Sequence, residues 1–168
     1  MNNIAFTFDT SVASGHKMTI DMKREHDTLI NLTEENDAIA SFVRAVRELV
    51  EAGKGHAGQR LLRFEESKEK GQVIIMSKTN IYIQFEIWTA GRMRNEGVYT
   101  GIQVKNNNTK LELFETCMCI DLAKTLLEDT RQFVLDEEAE IGAVMNQAGY
   151  TFPVGEWKAL KKAISEYR

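Results

Sequence analysis

Tyr82 and Trp88 stand in a stretch, Asn80-Ile81-Tyr82-Ile83-Gln84-Phe85-Glu86-Ile87-Trp88, whose apolar residues recur at every second position. Successive side chains of an extended strand point to opposite faces, so Ile81, Ile83, Phe85 and Ile87 share one side. Tyr82, Gln84, Glu86 and Trp88 share the other. Aromatic rings on the open side of a sheet form a surface on which unstacked bases can lie, each contributing about 1–3 kcal/mol. Tyr99 on a following strand extends that surface, and Arg92, Arg94, Lys105 and Lys110, in or beside the adjoining turns, offer cations to phosphates. The same residue types favour a protein interface, where Tyr, Trp, Met and Arg are enriched. A third reading has these aromatics covered by the chain's own N-terminal hairpin or C-terminal helix.

Enzyme chemistry is the minority expectation. A nucleophilic Ser or Cys needs a base within reach, and neither G-x-S-x-G nor a Walker loop is present. His16, His26 and His56 are scattered, with no companion at metal-ligand spacing. Cys117 and Cys119 supply at most two soft ligands, so they read as small buried thiols, with a redox pair as the lesser reading. The acids Glu65-Glu66 and Asp136 to Glu138 with Glu140 read as solvated faces. Gly53-Lys54-Gly55-His56-Ala57-Gly58 matches G-x-G-x-x-G, but it follows a helix and precedes a strand. No helix N-terminus then faces a phosphate, so the motif reads as a connection. No catalytic residue, metal ligand or cofactor is assigned.

These residues need a scaffold, and the composition allows one. A chain of 168 residues, 43% hydrophobic and 27% charged, can bury a full core, which argues against disorder. The net charge of −4 excludes a wholesale electrostatic grip on nucleic acid and leaves only a local basic patch. No segment reaches the length of a membrane span, and the first residues lack signal-peptide character, so a cytoplasmic protein away from membranes is the expectation.

Period-two patterns at Ile4, Phe6, Phe8 and at Met18, Ile20, Met22 predict two N-terminal strands. The spacing of Ile39, Phe42, Val43, Val46, Leu49 and Val50 predicts a helix over 34–52, capped by Thr33 and stopped by Gly53. Arg44, Arg47, Glu48 and Glu51 fall on its wet side. Strands at 61–64, 73–76, 81–88, 98–104 and 110–114, joined by short turns, predict an antiparallel meander. A helix capped by Thr116 and running from 117 to 147 would be about 46 Å long, so it either breaks near Leu135 or projects toward a partner.

A linker at 149–155 precedes a helix with Trp157, Leu160, Ile164 and Tyr167 on one seam. Too short to stand alone in water, it must dock on its own sheet or in a partner's groove. The expected fold is α+β, with an antiparallel meander sheet of about five to seven strands covered on one face by two long helices. Residues 1–148 form one domain, and 149–168 a linker and amphipathic helix. The expected function is non-enzymatic binding or regulation through the sheet face and C-terminal helix, toward a protein partner or a homodimer mate. Single-stranded nucleic acid is the alternative ligand, and a small hydrolase or nucleotide-binding enzyme the weaker one.

Overall fold

A computed structural model describes residues 4–9, 17–22, 27–31, 38–67, 70–90, 109–138 and 153–168. Strands β1 (Ile4–Asp9), β2 (Lys17–Met22) and β3 (Asp27–Asn31) form one antiparallel sheet in that order. After helix α1 (Ala38–Glu51), strands β4 (Gly58–Ser67), β5 (Lys70–Thr79), β6 (Tyr82–Ala90) and β7 (Thr109–Met118) form a second antiparallel meander. Helices α2 (Cys119–Asp129), α3 (Arg131–Glu138) and α4 (Val154–Ser165) complete the described elements. The class is α+β, as the sequence predicts, but the strands divide between a sheet of three and a sheet of four instead of joining in one. The strand expected at 98–104 and the Thr33 cap lie outside the described residues.

The inner face of the four-stranded sheet is fixed by register. Ile74 pairs with Ile87, Met76 with Phe85 and Lys78 with Ile83, while Leu113 and Cys117 of β7 oppose Ile87 and Ile83. All are buried, as the period of two demands. Helix α1 lays Phe42, Val43, Val46, Leu49 and Val50 on this face. Fully burying each such side chain contributes about 1.5–3 kcal/mol. Gly53 ends the helix at φ 79°, a left-handed turn that glycine adopts without steric cost, and its N–H donates to the Val50 carbonyl at 3.0 Å.

The sheet of three joins the same core through Ile4 and Phe6. The Phe6 ring lies 5.5 Å from Phe42, and Phe42 meets Phe85 edge-on at 6.2 Å, so one aromatic of α1 touches both sheets. The Phe6 N–H, on the side of β1 away from β2, donates to Asp129 Oδ2 at 2.8 Å. That side chain at the end of α2 satisfies one N–H on the edge of β1.

The second helical region differs from expectation at both ends. Thr116 and Cys117 belong to β7, and α2 begins at Cys119 with no side-chain cap. Its first N–H instead donates to the Ile81 carbonyl at 2.8 Å, in the tight β5–β6 turn where Asn80 takes φ 57°. The break falls at Thr130, not near Leu135. Thr130 is buried, and its hydroxyl donates to the Leu126 carbonyl at 2.6 Å, offering the helix end an alternative to another turn.

Trp157 Nε1 of α4 donates to the Leu127 carbonyl at 3.1 Å beside that break. Helix α4 thus docks on its own chain, burying Trp157, Leu160 and Ala163 against the common core, with Glu156 meeting Arg44 at 3.0 Å and Arg47 at 3.4 Å. Because Phe42 holds the two sheets to one core, Phe42→Ala is expected to cost about 3–5 kcal/mol. The drop in the urea midpoint measures this, and a loss under about 1 kcal/mol would show that the rings carry little of the packing.

Candidate functional site

The opposite face of the four-stranded sheet carries a different set of side chains. Across it run the rows Leu61, Ile75, Glu86, Phe114 and then Val73, Trp88, Leu111, with Tyr82 beside Met118 at one end. Tyr82 is 51% exposed, Phe114 47%, Leu111 41% and Met118 38%. These are large apolar groups that the described residues leave open to solvent. Between them Val73 and Ile75 are buried, with Leu61 and Trp88 packed around them as a small second core. Between the rows, Gln84 opposes the neutral Ser77 and Thr116.

Two of the four residues expected to face outward are sunk into this face instead. Trp88 is half-buried against Val73 and Ile75, and Glu86 is only 5% exposed. Tyr82 and Gln84 are exposed as the alternation predicts. Lys110 is the second residue of β7. It pairs with Thr89, on the side of Ile87 and not of Tyr82, and its ammonium lies 3.8 Å from Glu112. Arg92, Arg94, Tyr99 and Lys105 lie outside the described residues. Of the seam expected to meet a partner helix, Trp157 and Leu160 are buried in their own chain, while Ile164 and Tyr167 remain half-exposed.

Sequence reasoning missed Leu111, Phe114 and Met118. A bulge between the Ile87 and Trp88 pairings inserts Glu112 as an extra residue, so Leu111 faces outward although Leu113, two positions on, faces inward. Strict alternation assigns both to one face. Met118 follows from its pairing with Tyr82, which becomes visible only once the strand is known to run to the helix start.

The G-x-G-x-x-G stretch is a helix-to-strand connection, and it presents carbonyl oxygens to a buried cation. Lys78, 2% exposed, donates through Nζ to the Gly53 carbonyl and, at 2.7 Å, to the His56 carbonyl. The ammonium thereby sits at the C-terminal end of α1, where the helix dipole favours positive charge. Cys117 and Cys119 are free and buried, on either side of the junction between β7 and α2. Burial pushes the Cys117 thiol up to about 12, with the nearby Glu115 adding to the shift. Burial likewise pushes Cys119 up to about 11, against the pull of Lys78. Thiolate is what attacks, so these are poor nucleophiles near neutrality.

Among the described residues, no three His, Cys, Asp or Glu side chains converge as a metal site, and no helix is long and apolar enough to cross a membrane. No family model matches the chain, and neither does a curated protein or a solved structure.

Replacing Lys78 by Met leaves the two loop carbonyls without their donor and is expected to cost about 1–3 kcal/mol. Amide exchange in the loop should quicken ahead of exchange in the sheet, and unchanged protection would refute the clamp. For the thiols, a folded value above the ordinary 9.0 means that the folded state holds its protons longer than the unfolded state. Their stabilisation is complete below pH 9 and declines as pH rises from about 9 toward 11–12. The alkaline drop in urea midpoint should therefore be shallower in the double variant Cys117→Ala, Cys119→Ala than in the parent chain.

Proposed function

We propose that this protein is a non-catalytic binding module that recognises another polypeptide through the outer face of its four-stranded sheet, with a second copy of the chain as the occupant. The observation that carries the reading is the row of open apolar side chains at Tyr82, Leu111, Phe114 and Met118 on one sheet face. Large apolar side chains gathered open on one face of a folded surface are a feature of interaction sites. Self-recognition is favoured by charge. Among the described side chains of the face the exposed ones Tyr82, Gln84, Phe114, Thr116 and Met118 are uncharged, so two copies related by a two-fold axis can oppose these positions without like charges meeting.

Sedimentation of the full chain at micromolar concentration is expected to show a dimer. Phe114→Glu or Tyr82→Glu should shift it to monomer while leaving the melting temperature nearly unchanged, because both positions are exposed. A monomeric parent chain, or a dimer indifferent to both substitutions, removes the self-recognition reading. Titration with a single-stranded oligonucleotide decides the alternative. Tryptophan quenching that weakens as salt rises would favour nucleic acid over a protein surface.

A further inference from the structure

Where the β5–β6 turn, the start of α2 and the end of α4 meet, the surface opens into a pocket of about 470 Å³. Ile81, Met118, Ile120 and Ile164 give it an apolar lining, and the Tyr167 ring adds a wall. The size falls in the range of small-molecule sites, roughly 300–1,000 Å³. Its charged lining residues are both cations, Lys54 and Lys124, and both are exposed. Among the described residues neither forms an ion pair with a carboxylate.

Lys54 is held in place from two directions. Its backbone N–H donates to the backbone oxygen of Arg168 at 3.1 Å, and its ammonium stands 5.5 Å from the centre of the Tyr167 ring. The Tyr167 hydroxyl is shielded from solvent with no hydrogen-bond partner among the described residues. Two cations that pair with no carboxylate side chain among the described residues, set at an apolar hollow, favour an anion there. The hydrocarbon lining favours a ligand whose anionic group carries an apolar tail.

We propose that this pocket binds a small anionic amphiphile, its carboxylate or phosphate group paired with Lys54 and Lys124 and its hydrocarbon portion on Ile81, Ile120 and Ile164. The pocket shares Met118 with the sheet face but does not depend on the reading given to that face. Decanoate, 1-decanol and inorganic phosphate are compared by calorimetric titration of the full chain, and vesicles carrying an anionic phospholipid by co-sedimentation.

Decanoate is expected to bind at least about tenfold more tightly than either 1-decanol or phosphate, and Lys54→Glu and Lys124→Glu each to weaken it by about tenfold. Phe114→Glu should leave decanoate binding intact, which separates this site from the sheet face. Vesicle binding with the same lysine dependence would support the site and identify a lipid headgroup as its source. Absence of binding by decanoate and vesicles alike, equal affinity for 1-decanol or phosphate, or indifference to both lysine substitutions overturns the proposal. Both lysines are exposed, so an unchanged melting temperature shows that lost binding is not lost folding.

Discussion

One phenylalanine determines how the two sheets of this chain relate. Phe42 enters from α1 and touches Phe6 of the first sheet and Phe85 of the second, so the helix acts as a wedge whose apolar side both sheets share. A three-stranded sheet gains stability by burying its apolar face against another element. By inserting Ile4 and Phe6 into the core built by α1, the N-terminal strands gain that cover. The inner face of the second sheet, with Ile74, Met76, Ile83, Phe85 and Ile87 buried, gains it from the same helix. Packing of α1 is therefore a condition for both sheets, and for the outer face that becomes available only because the inner one is covered.

A second constraint follows from backbone chemistry. Helix ends and sheet edges expose N–H and C=O groups that need partners. Here distant side chains supply several of them. Asp129 accepts from the edge of β1, Lys78 donates to the carbonyls after α1, and Trp157 donates to a carbonyl near the end of α2. Each of these bonds joins elements far apart in the chain, so closing a helix end also fixes tertiary position. The C-terminal helix illustrates this best. Its indole needs a buried acceptor, and the interrupted turns of α2 at Leu127 provide one.

The alternation from Ile81 to Ile87 was legible because both the turn at Asn80 and the buried face impose a period of two. So was the stop at Gly53, since a positive φ there selects glycine. The division into two sheets was not, because strand pairing across α1 depends on packing that no local pattern encodes. Nor was the break at Thr130, which reads as one more member of an apolar stripe until its hydroxyl is seen bonded to Leu126. The candidate face was half legible. Tyr82 stood out by parity, but the bulge at Glu112 reverses parity within β7 and so hid Leu111. Trp88 had the right parity and still sank, because Val73 and Ile75 give its ring apolar surface to cover.

Charge separates the two candidate surfaces more sharply than position does. The sheet face has open apolar groups with the neutral Gln84 and Thr116 exposed among them; the pocket at the end of the sheet has two exposed cations over an apolar lining. Desolvating uncharged side chains such as Tyr82, Phe114 and Met118 costs little, which suits the broad, flat contact of two polypeptides. A solvated ammonium instead keeps its charge in water while its stem and the adjoining isoleucines cover a tail, which suits a small ligand with one charged end. Met118 belongs to both, pairing with Tyr82 on the face and lining the pocket. The two surfaces thus share an edge at Met118 while offering ligands different electrostatic surroundings, and a side chain that fills one cannot replace what the other requires.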